Sequence, residues 1–327
     1  MNRSFNILYI AITILAVLLT TACTEETVEE DKGAKEQRFF DIYQESRYPG
    51  YKPLESGLFF LENSVGEGVS PDEDDWVLVK HVSYVIPDEY VYESYIENVA
   101  EDNNLDPNKV ALYGPFKMLP GSINEGLTEG LTLMREGGEA TMFFTSVLGF
   151  GETGNGKIGG FTSLKYEVEL LEVIPDIELY EQAKIDSYMD TVAVSDTIHD
   201  PIDDVLMYYM IDHETDGKAI GLDSVVVVAY KGYLADGRVF DESSVGDSAT
   251  FTVGADVITG WELGLQRMKE GEKGRFVIPH QLAYGEEGRK DQNSGLVLMP
   301  PYETLFFDIE ILKVYGASGD DGGSPEQ

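Results

Sequence analysis

Cysteine is almost missing: Cys23 is the only one in 327 residues, so no internal disulfide can form and no thiolate cluster can hold zinc. Histidine is scarce too. His81, His199, His213 and His280 are scattered along the chain, which leaves no local imidazole pair, and neither a metal nor another cofactor is expected. Basic residues are few, with 23 Lys and Arg against 60 Asp and Glu and a net charge of −37. Such a surface repels phosphate backbones and anionic headgroups, which argues against nucleic acid as a partner and against a basic helix lying on a membrane. The acidic groups Asp72-Glu73-Asp74-Asp75 and Asp200-Pro201-Ile202-Asp203-Asp204 lack the alternating ligands and glycine of a calcium loop, and read as solvated turns. What is present is length. At 43% hydrophobic residues, the chain can build two ordinary domains.

Met1 to Asn6 carries Arg3, and an apolar run from Ile7 to Ala22 follows it directly. This is the layout of a secretion signal over residues 1–22. The run is shorter than the roughly 20 residues a membrane-spanning helix needs, which makes a retained anchor the weaker reading. Cys23 follows the small residues Thr21 and Ala22, and this placement resembles the lipobox of bacterial lipoproteins, in which the cysteine is acylated. Thr20 departs from that motif, and an ordinary cleaved signal with a chance cysteine is the competing reading. Residues 24–33 are acidic and poor in apolar side chains, so a lipidated acidic linker is expected over 23–50. The location that follows is a bacterial cell envelope, with the body tethered to the membrane through lipid on Cys23, on the periplasmic or surface side of the outer membrane.

The remaining chain repeats itself. Gly126-Leu127-Thr128-Glu129-Gly130-Leu131 answers Gly260-Trp261-Glu262-Leu263-Gly264-Leu265, and Phe144 to Gly151 answers Ile278 to Gly285 at the same offset. Ser163 to Leu171 answers Thr304 to Leu312 after a longer loop. Three blocks in one order predict two related domains, 51–175 and 204–316. Between them, residues 177–192 place Leu179, Ala183, Ile185, Met189 and Val192 near helical spacing, predicting a helical connector over 176–203 closed by Pro201. The Gly/Ser/Asp-rich end, 317–327, reads as a disordered tail.

Within the second copy, Val225 to Tyr230, Arg275 to Ile278 and Leu305 to Leu312 have the β-branched and aromatic content of strands. Asp236-Gly237 between Leu234 and Val239 predicts a tight hairpin with positive φ at both central positions. Glu262 to Lys269 predicts about two helical turns stopped by Gly271. One short helix among several strands is an α+β unit with an antiparallel sheet.

These blocks resemble the FKBP family of peptidyl-prolyl isomerases over nearly all of residues 222–314. The motifs are Val227 to Gly232, Asp236 to Ser243, Val257 to Glu262, Ile278 to Gly285 and Pro300 to Asp308. The resemblance implies two domains, each an antiparallel half-barrel wrapped around a short helix. It implies a proline-binding pocket walled by Tyr230, Phe240, Val257, Ile258, Trp261, Tyr284 and Phe307, with Asp241 at the rim. Asp241, Tyr284 and Ile258 are the catalytic candidates, the latter two as hydrogen-bond donors. Tyr230, Phe240, Val257, Trp261 and Phe307 are the substrate-binding ones. It further implies macrolide inhibitors as ligands of the same pocket, and proline-containing polypeptides as clients. Where the family carries Phe-x-Phe, this chain reads Ala249-Thr250-Phe251, so one aromatic wall is expected to be missing. Leu298 and Met299, in a long loop from Glu286, are expected at the pocket lip.

The first copy answers Trp261 with Leu127, Tyr284 with Phe150 and Phe307 with Tyr166. Tyr84 or Val82 is expected where Tyr230 stands, and residues 86–104 show no counterpart of the Phe-Asp pair. That copy is therefore expected to be catalytically weak or silent, acting as a spacer, a client-binding surface or a dimer contact. The function expected of the whole is isomerisation of X–Pro bonds in exported proteins, the rival being a non-catalytic chaperone or docking lipoprotein of an envelope or motility complex.

Overall fold

The structure is a computed structural model that describes residues 31–191, 197–198, 207–243, 248–255, 257–292 and 295–316. The signal segment, Cys23, His199, Pro201 and the tail 317–327 lie outside the described residues. Five helices are described: α1 (Lys32–Arg47), α2 (Glu97–Asp102), α3 (Glu125–Leu133), α4 (Ile177–Thr191) and α5 (Thr259–Leu265). The strands of the first half are β1 (Phe59–Ser64), β2 (Trp76–Val85), β3 (Tyr90–Ser94), β4 (Phe116–Met118), β5 (Glu139–Phe144) and β6 (Leu164–Ile174). They make one antiparallel sheet in the order β1-β5-β6-β2-β3, with β4 also paired to β2.

In the second half come β7 (Thr197–Ile198), β8 (Tyr208–His213), β9 (Val225–Tyr233), β10 (Val239–Glu242), β11 (Ala249–Thr252), β12 (Lys273–Ile278) and β15 (Leu305–Tyr315). Their order is β10-β9-β15-β12-β8-β7, with β11 on β9. A separate hairpin pairs β13 (Arg289–Lys290) with β14 (Val297–Met299). Leaving out β7, the two orders coincide strand for strand, β2 with β9, β6 with β15, β5 with β12, β1 with β8, β3 with β10 and β4 with β11. The repeat is thus two copies of one α+β unit.

A short helix packs closest to a sheet where its facing positions carry no side chain. A Cβ on Gly264 would sit 2.6 Å from Phe276 Cζ, and one on Gly260 would strike Ile278. In α3, Gly126 would meet Phe144 at 2.5 Å and Gly130 would meet the Met142 sulfur. Paired glycines one turn apart therefore seat both helices. They cover cores built on Leu127, Leu131 and Phe144 in one domain and on Trp261, Leu265 and Phe276 in the other. The observed α5 begins three residues before the expected Glu262 and ends at Leu265; Gly271, at φ +87°, closes the turn that follows it.

Three expectations need correction. First, residues 23–50 are not all linker: α1 caps its N-terminus with Asp31, whose side chain accepts from Gly33 N at 3.0 Å, and buries Phe40 and Tyr43 against Phe59, Ile86 and Phe143. Glu36 reinforces this contact, accepting from Ser146 N at 2.7 Å and from the Ser163 hydroxyl at 2.7 Å. Second, only Gly237 of the Asp236-Gly237 pair has positive φ. Asp236 instead accepts from Arg238 N at 3.0 Å, so the turn spans Leu234 to Arg238. Third, α4 exposes Leu179 and buries Ile177, Glu181 and Ile185, which are spaced one turn apart.

Burial of Glu181 makes sense only across the domain boundary. Lys117 of β4 lies 2.6 Å from Glu181 and 2.9 Å from Glu303, and Lys184 reaches the same carboxylates at 2.8 and 3.5 Å. Glu181 also accepts from Thr304 N at 3.1 Å. Two lysines outweigh burial and hold the Glu181 carboxyl below its usual range. The first domain, the connector and the second domain thus share one buried ionic cluster.

Candidate functional site

The second domain holds an aromatic cup at the open side of its sheet. Register builds it: on β9, Gly232 stands opposite Phe307 of β15 and Asp241 of β10, while Tyr230 stands opposite Ile309. The bare Gly232 is required there, because a Cβ would lie 2.7 Å from Phe240 Cζ and 2.8 Å from Phe307 Cε1. Trp261 is buried at the floor, edge-on to Tyr230 at 5.1 Å, Phe251 at 5.3 Å and Phe307 at 5.2 Å. Phe240 meets Phe307 edge-on at 5.4 Å. Edge-to-face packing of this kind adds about 0.5–1.5 kcal/mol per pair beyond area burial and fixes each ring.

The polar groups sit at the margin. Tyr230 donates to Asp241 at 2.8 Å. Burial first, then the Asp241 carboxylate and the Tyr284 phenol, push the Tyr230 hydroxyl well above its usual range, so it remains a donor. Val257, Ile258 and Tyr284 are half-buried against the same core as Trp261. Ile258 is the N-cap of α5 and its carbonyl accepts from Trp261 and Glu262. The structure thus brings seven of the candidates, Tyr284, Ile258, Tyr230, Phe240, Val257, Trp261 and Phe307, into one hydrophobic cluster, with the eighth, Asp241, bonded to Tyr230 at its margin.

Phe251, which is not among the pocket residues expected from the sequence, joins them. Its signal was the alternation in Ala249-Thr250-Phe251-Thr252, which puts Ala249 and Phe251 on one face. Ala249, opposite Val228 and half-buried, adds no ring. Met299 is not a lip residue: it is core, packed in the cluster of Trp261, while Leu298 is half-buried. The long loop forms the β13–β14 hairpin, with Arg289 5.9 Å above the Tyr284 ring.

The same register, applied to the first domain, locates the counterparts that lie on strands. Ser83 stands opposite Tyr166 and Glu93, so Ser83 matches Gly232, Tyr166 matches Phe307 and Glu93 matches Asp241. His81, opposite Val168, therefore matches Tyr230. This corrects the expectations of Tyr84 or Val82 at that place and of a lost Phe-Asp pair, for which Tyr92-Glu93 is the answer. His81 and Glu93 even repeat the rim contact, with Nε2 3.8 Å from Oε2. Burial alone would raise the Glu93 carboxyl, but His81 and Lys157 bring it down to about 2. His81 and His280 are both buried and partnered, His280 with Glu178 at 3.0 Å.

The floor has changed more than the rim. Leu127 replaces the indole, Tyr92 and Tyr166 join their hydroxyls at 2.6 Å, and Asn124 donates to Tyr166 at 3.0 Å. Burial pushes the Tyr166 hydroxyl up to about 12. Beside them lies a cavity of about 460 Å³ lined by Tyr92, Phe116 and Phe150, with Lys290 and Val297 of the second domain also in its wall. Ala249 of the second domain answers Phe116 of the first, since each faces the corresponding valine, Val228 or Val79.

The family profile described as FKBP-type peptidyl-prolyl cis-trans isomerase matches this chain twice, over residues 83–171 and 217–312. A probable FKBP-type peptidyl-prolyl cis-trans isomerase FkpA of Neisseria meningitidis serogroup B is 37% identical over 122 residues, 37% of this chain and 42% of the relative. The FK506-binding protein of Neisseria meningitidis serogroup C is 40% identical over 104 residues, 31% of this chain and 90% of that protein. The crystal structure of FkpA from Escherichia coli aligns with 43% of this chain and 63% of its own, at 34% identity and a TM-score of 0.36. Apart from the short FK506-binding protein, the chain spans about half the length of the first curated relatives it matches.

Proposed function

The chain belongs to the family of FKBP-type peptidyl-prolyl cis-trans isomerases, and from that premise we propose that its second domain catalyses cis–trans isomerisation of X–Pro bonds. The observation that carries the reading is the edge-on ring cup of Trp261, Tyr230, Phe251 and Phe307 with Asp241 bonded to Tyr230 at its rim. Peptide rotation is slow because resonance gives the C–N bond partial double character, with a barrier of about 18–20 kcal/mol. Rotation breaks that resonance and leaves an amide with less charge separation. A dry aromatic cup favours the twisted amide over the planar one, relative to water.

In this reading the indole of Trp261 packs the pyrrolidine ring, and the Ile258 N–H and Tyr284 hydroxyl donate to a substrate carbonyl. Asp241 holds the Tyr230 phenol and thereby the cup's edge. An acceleration of 10⁵ requires on the order of 7 kcal/mol of differential stabilisation, within the range of shape, desolvation and two hydrogen bonds combined. No nucleophile or cofactor takes part.

A protease-coupled assay on a prolyl tetrapeptide tests this on the full chain. Trp261→Ala is expected to lower kcat/KM by about 30-fold or more, corresponding to roughly 2 kcal/mol of lost packing, and a macrolide seated in the cup to suppress the wild-type rate. A wild-type rate no faster than the uncatalysed one ends the proposal. The altered rim and floor of the first domain, with His81, Glu93 and Leu127, favour a catalytically silent role for that domain. For the whole chain, lipid on Cys23, an envelope location and exported proline-containing clients complete the reading; they rest on residues 1–23 and are tested by mass spectrometry of the N-terminal peptide, where a free thiol would remove the anchor.

A further inference from the structure

The β13–β14 hairpin stands between the first domain's cavity, which Lys290 and Val297 line, and the second domain's aromatic cluster, in which Met299 is buried. One isolated two-stranded hairpin is marginally stable in water, so its position depends on what grips it. On one side Arg289, paired to Met299, lies over the Tyr284 ring, and Met299 is buried with Trp261. On the other side the backbone of Val297 is held at both ends by the first domain. Its N–H donates to the Tyr95 hydroxyl at 3.1 Å, and its carbonyl accepts from Leu112 N at 3.4 Å.

Tyr95 is itself immobilised. It follows β3 directly, is 4% exposed, stacks on Phe116 at 5.0 Å and 8°, and its carbonyl accepts from Gly114 N at 2.9 Å. A second contact from the same segment grips the second domain's β9–β10 turn, where Arg238 donates to the Tyr113 carbonyl at 3.0 Å.

We propose that Tyr95 of the first domain is a positioning residue for the second domain's pocket: by holding Val297, it fixes the hairpin whose other strand sets Arg289 over the Tyr284 ring. The inference rests on the isomerase reading given above. It gives the first domain a task that needs no chemistry of its own. The Tyr95 hydroxyl sets how far the Tyr284 wall stands from the cup floor, and so how a chain segment beside proline is accommodated.

Tyr95→Phe in the full chain tests this, because the ring and its stack on Phe116 survive while the acceptor is lost. Amide exchange at Val297 is expected to speed up by about tenfold, the worth of one buried hydrogen bond. KM for a prolyl tetrapeptide is expected to change at least threefold with kcat within twofold, and the ratio of kcat/KM between leucine and alanine before proline to change with it. Unchanged exchange at Val297 overturns the proposal, as does faster exchange with KM and the substrate ratio unmoved. Should the wild-type chain show no turnover, the function falls separately, and the Kd for the same peptide replaces KM; a Kd equal in both proteins then overturns the positioning role.

Discussion

Lys117→Met removes the central cation of the cluster that joins the domains. Its side chain is 3% exposed and contacts Glu181 and Glu303 at 2.6 and 2.9 Å. Removing one partner of a buried ion pair costs about 3–5 kcal/mol, because the other charge stays buried without its counter-ion. Lys184 still reaches both carboxylates, so the lower end, about 3 kcal/mol, is expected. At about 2–4 °C per kcal/mol for domains of 150–250 residues, the midpoint of thermal unfolding should fall by roughly 6–12 °C. Glu303→Gln in the same chain should return part of the loss, since it removes one of the stranded charges. A double-mutant cycle between Lys117 and Glu303 reads the coupling directly. A fall under about 2 °C, or a cycle with no coupling energy, would refute the reasoning.

Two further outcomes follow from seating and charge. Gly264→Ala should destabilise by about 1–3 kcal/mol, because its Cβ meets the rigid Phe276 ring. Gly130→Ala should come out near neutral, because it meets the flexible Met142 thioether and gains helix propensity of about 1 kcal/mol; denaturant midpoints in the reverse order would contradict this. For Glu93, the folded carboxyl near 2 lies below its ordinary 4.5, so its contribution is complete above the ordinary value and is lost as pH falls toward 2. Wild type should therefore lose stability faster than Glu93→Gln between pH 4.5 and 2, and parallel curves in urea titrations would dismiss the His81–Glu93 contact as a stabilising one.

The repeat was legible because its blocks carry geometry: the paired glycines of α3 and α5 and the strands that follow recur at fixed offsets. The second domain's cup was legible for the same reason, since Phe240-Asp241, Trp261 and Tyr284 each sit beside a glycine or a turn. The first domain's rim was not. Residues 95–115, which include α2, stand between β3 and β4 where only 243–248 stand between β10 and β11, so the offset of the later blocks fails ahead of them, and only strand register shows that His81 and Glu93 occupy the places of Tyr230 and Asp241. Lys117, Glu181 and Glu303 read as ordinary surface charges because their neutralisation comes from three distant segments. Phe40 and Tyr43 read as linker because the ring that covers them, Phe143, lies a hundred residues further along the chain.

Docking of α1 on the first domain has a bearing on distance. Should Cys23 be acylated, the free leash runs from Cys23 to Asp31, and a fully stretched chain advances at most about 3.6 Å per residue. That allows a span of about 29 Å, against about 97 Å had the slack extended to residue 50. The N-terminus of α1, and with it the face of the first domain that holds Phe40 and Tyr43, would then lie within that shorter distance of the acyl group.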